Sequence, residues 1–347
     1  MKRALVTGVS GQDGSYLAEL LLQQGYRVFG LLNGQATRHE GRLRELLPFV
    51  TLIRGDLQDL PSMIAALERS EPDEVYNLGA ISFVELSFRQ PELTANVTGV
   101  GVLRLLEAIR MVGGTQRNPI RFYQASSSEM FGNPRTSPQD ERTPFHPRSP
   151  YGVAKVFGHH MTVHYREAYG LYACSGICFN HESPRRGLEF VTRKITHAAA
   201  RIRFGLESEL PIGALDPRRD WGFAGDYVRA MWLMLQQPEP DDYVVATGQS
   251  HSVREVLEIA FELAGVGRWE PFVRTDPRHL RPAEVDALVG DASKARKMLG
   301  WRPEVSFAEL IALMVEADLE LAAREADGAA SSRVRAEWGS WVAGSRP

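Results

Sequence analysis

Through the first 180 residues the chain alternates between two textures. The short apolar runs are RALVTG at 3–8, RVFGLLN at 27–33, VTLIRGDL at 50–57, EVYNLGA at 74–80 and RFYQASS at 121–127. They are too brief for helices and predict strands buried on both faces. Between them, GSYLAELLLQQG at 14–25, LPSMIAALERS at 60–70 and GVLRLLEAIRMVG at 101–113 repeat apolar residues every three or four positions. That is the period of an amphipathic helix. Strands alternating with helices predict an α/β fold, a doubly wound parallel sheet with helices on both faces.

After YGLYACSGICF at 169–179 the texture changes: residues 181–220 are rich in Arg, Pro and Gly. Residues 226–237 are strongly helical, DDYVVATG at 241–248 reads as a late strand, and SVREVLEIAFELAG at 252–265 as an amphipathic helix. The last twenty or so residues lack periodicity. Composition adds exclusions. A formal charge of −3 and 24% charged residues offer no nucleic-acid or membrane surface. No apolar stretch approaches the roughly 20 residues of a membrane span, and MKRALVTG leads straight into a strand without a signal peptide. Cys174 and Cys178 are four residues apart on one expected strand. That spacing separates their Cα atoms by roughly 13 Å, too far for a disulfide, so both are expected as reduced core residues of a cytoplasmic protein.

The glycines Gly8, Gly11 and Gly14 follow the first strand and open the first helix. Glycine lacks the Cβ that would block a pyrophosphate, and the helix start offers unpaired N–H groups and the positive dipole end. A lone glycine pattern is weak, since any strand-to-helix turn can carry one. Its place at the head of a βαβ unit points to dinucleotide binding and a Rossmann-type sheet. The expected organisation is a dinucleotide-binding domain over 1–180 with 220–250. A smaller, interleaved C-terminal α/β substrate domain takes 181–219 with 251–325, and a loose tail takes 326–347. At later strand ends, Asp56 in RGDL can accept from an adenine amino group. YNLGAIS at 76–82 sets small residues where backbone must lie near the cofactor.

The chemistry concentrates in SPYGVAK, where Tyr151 and Lys155 share a helix face. An ammonium beside a phenol favours the phenolate and lowers its pKa from about 10. The tyrosine can then take a proton from a sugar hydroxyl while hydride leaves the same carbon, and the lysine can hold the nicotinamide ribose. Upstream, YQASSSEMFG supplies Ser127 and Glu129. On an extended segment two residues apart, both side chains face one side. A carboxylate there can remove a proton made acidic by a neighbouring ketone and pass it to a departing hydroxyl. His159 and His160 diverge by about 100 degrees on a helix and read as surface or interface residues; Met231 and Met234 read as helix core. Neither H-E-x-x-H nor clustered cysteine suggests a metal.

The glycine loop, the Ser/Tyr/Lys set and the alternating pattern resemble the extended short-chain dehydrogenase/reductase family from Lys2 to about Leu319. More narrowly, several stretches are similar to the GDP-mannose 4,6-dehydratase family. They are GQDGSYLAELLL, FYQASSSEMFG, PRSPYGVAK, FNHESPRRG, FVTRKIT, RRDWGFAGDYVRAMWLMLQQ, YVVATGQSHSVRE and RPAEVDALVGDASKA. The resemblance implies Ser127, Glu129, Tyr151 and Lys155 as catalytic residues, with Ser127 where relatives usually have Thr. It implies cofactor contacts from Gly8, Gly11, Gln12, Asp13 and Gly14, from Asn33, Arg38, Asp56 and Leu57, and from Leu78, Gly79, Ala80 and Ser82. Tyr151, Lys155, His181 and Arg186 complete the cofactor set. Ser82, Ser127, Glu129, Asn180, Lys194, Arg219, Arg281 and Glu284 resemble the substrate side. Several fixed cations suit a diphosphate; Arg185 could equally be a surface ion pair, and Arg219 could pair with Asp220. The implied partners are a GDP-sugar, neither nucleic acid nor membrane, and copies of the chain in a homodimer or homotetramer.

Two departures stand out. Relatives carry an Arg-Arg-Ser-Ser run for the NADP 2′-phosphate; here the segment is NGQATRHEGR at 33–42, with only Arg38 and Arg42 to compensate. NADP is the implied cofactor, and NAD stays open. In AISFV at 80–84, Ile81 and Phe83 replace polar groups near the sugar, which leaves room for a related GDP-sugar such as a GDP-manno-heptose. Glu129 argues for a dehydratase over a 4-reductase or epimerase, and the intact catalytic set argues against a non-catalytic dinucleotide sensor.

Overall fold

The computed structural model describes residues 1–34, 41–114, 119–279, 285 and 287–343. The predicted strands form as β1 Arg3–Thr7, β2 Arg27–Leu32, β3 Val50–Arg54, β4 Glu74–Asn77, β5 Arg121–Ser127, β6 Ala173–Cys178 and β7 Asp242–Val245. All pair in parallel in the order β7-β6-β5-β4-β1-β2-β3. The chain therefore starts mid-sheet, winds outward to β3, returns to β4 beside β1, and winds the other way. The order reverses between β1 and β4, the place where doubly wound sheets open a crevice at their carboxyl ends.

Neighbouring residues of β1 show why the strands read as apolar throughout. Ala4 and Val6 belong to one buried cluster and Leu5 to another, because successive side chains leave opposite faces of the sheet. The first cluster takes Leu17, Ala18 and Leu21 from α1 (Gln12–Gln23). The second takes Met63 and Leu67 from α2 (Leu60–Ser70), with Leu105, Leu106 and Ile109 from α3 (Gly101–Met111). Tyr165 of α4 (Pro150–Tyr169) joins the second cluster, and Met231 and Met234 of α6 (Ala224–Met234) join the first, fully buried as expected. Cys174 and Cys178 are buried free thiols, and burial pushes both pKa values up to about 12.

The chain divides into two units. One comprises 1–185, 217–251 and 281–306; the other comprises 186–216, 252–280 and 307–347. The second unit packs α5 (Val191–Arg203), α7 (Val253–Leu263) and α8 (Phe307–Ala343) together, with a parallel pair of short strands at Leu210–Ile212 and Val273–Thr275. The α7 start is a capping box between Ser252 and Glu255. Within this unit Arg193 and Asp318 form an ion pair at 2.6 Å, and Thr196 donates to the same carboxylate at 2.7 Å. The backbone of α8 stays helical to Ala343, through most of the aperiodic 326–347 segment. AREADGAASSRVRAEW is rich in strong helix formers, so propensity extends a helix there without an amphipathic period. No helix among the described residues is long and apolar enough to cross a membrane.

At the amino end of the sheet, Glu74 is fully buried. It accepts from Lys2 at 2.9 Å, Tyr26 at 3.0 Å, Tyr76 at 2.7 Å and Gln236 at 3.2 Å. Removing one member of such a cluster strands its partners without acceptors. Glu74→Ala is expected to lower stability by about 3 kcal/mol, read by circular dichroism as a Tm lower by about 5 °C.

Candidate active site

The glycine loop takes its form from two contacts. Gly8 has a φ of +67°, and a Cβ on it would sit 2.9 Å from the Gly79 amide nitrogen. A Cβ on Gly14 would lie 2.2 Å from the Gly8 carbonyl oxygen, so only glycine lets the first turn of α1 close onto the end of β1. Gly11 caps α1 with extended backbone and no side-chain acceptor. The ends of β1 and β4 are tied together by Thr7, which accepts from the Leu78 and Gly79 amides at 3.1 and 3.0 Å and donates to Asn77 at 2.7 Å. Ala80 is half-buried and Ser82 exposed beyond them. Leu57 is buried beside Gly79, while Asp56 accepts from the Gln58 amide at 2.9 Å. Asn33 lies exposed just past β2, Arg42 reaches the Ser10 carbonyl at 3.5 Å, and Arg38 lies outside the described residues.

The second wall comes from β5 and α4. Ser149 caps α4 by accepting from the Gly152 amide at 3.0 Å, and Pro150 fills the first helical position. Tyr151 and Lys155 are both buried, on the same helix face. The Lys155 Nζ donates to the Ala125 carbonyl at 2.6 Å and lies 5.6 Å from the Tyr151 ring centroid. Burial lowers the Lys155 pKa to about 8, with the Asp13 carboxylate opposing the drop.

The expected extended segment through Glu129 ends two residues early, at Ser127. Ser128–Met130 form a single tight helical turn, and the Ser127 hydroxyl accepts from the Glu129 amide at 3.2 Å. Glu129 is buried. Its carbonyl oxygen would lie 2.7 Å from a Cβ on Gly152. The glycine between Tyr151 and Val153 thus lets the first turn of α4 rest against the turn that carries Glu129. Sequence spacing missed Gly152; a glycine inside a capped first turn was the available signal.

His159 corrects the expectation of a surface or interface residue. It is buried, its Nδ1 lies 3.2 Å from the Ser126 hydroxyl, and Phe145 packs edge-on at 5.2 Å. Burial lowers its pKa to about 4. Lys155, His159 and Thr162 form the stripe of α4 that faces inward, while His160 is exposed.

After β6, Asn180–Glu182 pair in parallel with Trp221–Phe223. His181 bonds the Asp13 carboxylate at 2.8 Å and the Phe179 carbonyl at 2.7 Å. Gln12 donates to the His181 carbonyl at 3.0 Å and accepts from Ser183 at 2.8 Å. Arg185 follows the ion-pair alternative: it bonds Glu19 at 2.5 Å and lies 4.1 Å over the Tyr16 ring. Arg219 is buried and donates to the Arg218 carbonyl at 2.9 Å. The Asp220 carboxylate accepts from Thr247, Gly248 and Gly290, and burial raises its pKa. The second unit carries Arg186, 3.5 Å over the Phe190 ring, and Lys194 on α5. Arg281 and Glu284 lie outside the described residues.

A doubly wound parallel sheet, a glycine loop after β1 and a buried Tyr-x-x-x-Lys helix against a serine-ended strand define an extended short-chain dehydrogenase/reductase. Structural neighbours agree. A Thermus thermophilus UDP-glucose 4-epimerase, solved with NAD, superposes with a TM-score of 0.78 at 30% identity, covering 91% of this chain and 98% of that one. A family model described as GDP-mannose 4,6 dehydratase matches residues 5–314. GDP-mannose 4,6 dehydratase 1 of Arabidopsis thaliana is 54% identical over 332 residues, covering 93% of this chain and 91% of its own. The human GDP-mannose 4,6 dehydratase is 47% identical over 342 residues, covering 92% and 91%. The chain belongs to the GDP-mannose 4,6-dehydratase family.

Lys155 carries a pKa of about 8. Burial depresses this pKa, so the charged form exists below that pH and vanishes above it. The pH profile of kcat/KM is expected to fall on its alkaline side with an apparent pKa of about 8.

Proposed function

We infer that the chain is a hydro-lyase that converts GDP-mannose to GDP-4-keto-6-deoxymannose and water. The observation that carries this reading is the Gly152–Glu129 backbone contact, which sets a buried carboxylate-bearing turn against the Tyr151–Lys155 helix. A ketone-forming pair alone would serve a reductase or an epimerase. An added carboxylate serves elimination.

A nicotinamide dinucleotide suits the loop, because Gly8 and Gly14 let the end of β1 turn tightly into α1, whose first amides have no intrahelical acceptor. Gly8, Gly11 and Gly14 with the amides of α1 would hold its diphosphate, Asp56 its adenine and Lys155 its ribose. When bound, it supplies a nicotinamide ring that accepts a hydride and returns it within one turnover. Tyr151 takes the proton of the sugar O4 as the C4 hydrogen leaves, and the Lys155 charge favours the phenolate that does so. Ser127 bonds the same oxygen. With C4 a ketone, the C5 proton is acidic; Glu129 removes it and passes it to the departing C6 hydroxyl, which leaves as water. C6 then gains the hydride lost from C4, and C5 takes up one proton, balanced by the O4 proton that Tyr151 gives back, so both side chains return to their starting states, the sugar is a 4-keto-6-deoxy product and no net oxidant is consumed. Asn180, Lys194, Arg219, Arg281 and Glu284 are assigned to the GDP-sugar.

Ile81 and Phe83, both half-buried past β4, favour a second substrate reading in which a bulkier GDP-sugar such as a GDP-manno-heptose is also accepted. Val153 and Phe157, one turn apart on α4 and 56% and 41% exposed, support a homo-oligomer, dimer or tetramer. The two free, buried thiols support a cytoplasmic setting.

The reading is tested by mass spectrometry of products from GDP-mannose: the wild type forms a product lighter by one water. Tyr151→Phe is expected to lower kcat by about a hundredfold or more while cofactor still binds. Glu129→Gln is expected to accumulate reduced cofactor, seen by its near-ultraviolet absorbance, without loss of water. Water loss at the wild-type rate from Glu129→Gln would refute the elimination role. With Asn33 and Gly34 in place of the arginine pair, NADP and NAD are expected to bind within roughly tenfold of one another, as isothermal titration would measure. A thousandfold preference for NADP would contradict this.

A further inference from the structure

His181 stands between two acceptors. Its Nδ1 is 2.7 Å from the Phe179 carbonyl oxygen, which can only accept. Its Nε2 is 2.8 Å from Oδ2 of Asp13. A neutral imidazole carries one N–H and one lone pair, so it would turn the lone pair on one of these oxygens. Both contacts are satisfied when both ring nitrogens carry protons and Asp13 is ionised. Other contacts of Asp13 favour the anion. Its Oδ1 accepts from Gln12 Nε2 at 2.9 Å, it lies in the first turn of α1, and its charge acts on the Lys155 ammonium.

We propose that His181 is an imidazolium held between the Phe179 carbonyl and the Asp13 carboxylate, and that this ion pair is the positioning element that clamps the glycine loop to the strand carrying Asn180. The clamp has further parts. Gln12 donates to the His181 carbonyl, Ser183 donates to Gln12, and the His181 ring stacks on Tyr227 at 4.6 Å. An imidazolium over an aromatic face is a favourable arrangement. The pair also answers an electrostatic problem. Asp13 places a negative charge in the helix turn that must receive a diphosphate, and the imidazolium compensates it. Asp13 from α1 and Tyr227 from α6 lie against the ring, while Glu182, next along the strand, leaves its opposite face. Burial keeps the Tyr227 hydroxyl in its neutral form. Lys155 lies beyond Asp13, and Arg185 is engaged with Glu19.

A carboxylate partner raises a histidine pKa, so the charged state persists above the ordinary value of about 6.5 and is lost as pH rises past the raised one. Dinucleotide affinity then weakens with rising pH. The cofactor-binding arm of the test rests on the reading of the loop as the dinucleotide site; the spectroscopic arm does not.

The experiment uses the full chain labelled with nitrogen-15 histidine, without cofactor, at about pH 7.5, where an ordinary histidine is mostly neutral. His181 is assigned among the 9 histidines by the resonances lost in His181→Gln. The expected result is a pair of protonated ring nitrogens at His181, and their replacement by a single-proton ring in Asp13→Asn. The dissociation constant for NADP or NAD is expected to rise by roughly tenfold or more in Asp13→Asn and to lose its pH dependence. A single-proton His181 ring in the wild type, or an unchanged ring in Asp13→Asn, overturns the proposal. The wild-type spectrum decides the matter even if the variants fold poorly. A chain that shows the imidazolium yet binds neither dinucleotide would refute the cofactor reading and leave the ion pair standing.

Discussion

The site is built around the absence of one carbon atom. Where any other residue would place a Cβ, Gly152 admits the carbonyl oxygen of Glu129 at 2.7 Å, with Pro147 and Ser149 closing the same space at 3.0 and 3.3 Å. This backbone approach joins a helix that begins at Pro150 to a strand end twenty-odd residues earlier. It sets the separation between the turn bearing Glu129 and the helix bearing Tyr151 before any side-chain interaction adds to it. The glycine loop repeats the device on the cofactor side, where Gly8 meets Gly79 and Gly14 meets Gly8. In both walls the geometry is fixed by main chain against main chain, which packs with little freedom to relax.

Around this frame, buried polar groups are held by short, specific partners. Lys155 is bonded to Ala125, His159 contacts Ser126, and Thr7 links β1 to β4. Ala125, Ser126 and Ser127 are consecutive residues of β5, and each serves the site in a different way. The Ala125 carbonyl fixes the lysine, Ser126 meets the histidine on the inward face of α4, and Ser127 organises the turn. A neutral His159 suits that role: burial outweighs the opposing pull of the Asp242 carboxylate on its charge.

Much of this was legible in the sequence. The strands, the glycine loop and the Tyr151–Lys155 pair depend on local spacing, and periodicity reports local spacing well. What depended on tertiary placement was harder to see. Glu129 reads as an extended neighbour of Ser127, yet the Ser127 hydroxyl captures the Glu129 amide and bends the chain. His159 and His160 look equivalent in sequence, and only the docking of α4 onto β5 distinguishes them. Asp220 looks like a partner for Arg219, yet three backbone amides supplied by segments far along the chain take up its carboxylate. The helical backbone to Ala343 illustrates the opposite case, where intrinsic propensity extends an element whose hydrophobic pattern has lapsed.

The first unit is stitched from three separate stretches of chain. Its outermost strand, β7, pairs Asp242–Val245 with Ser175–Cys178 of β6. A ribosome must therefore thread out some sixty residues after β6 before that edge can be covered. Until then, β6 presents an unpaired, mostly apolar margin of the kind that invites wrong partners. Nascent chains halted inside this interval, or fragments cut at Arg185, would carry an unfinished sheet. The cell's quality control would meet this protein at that open margin.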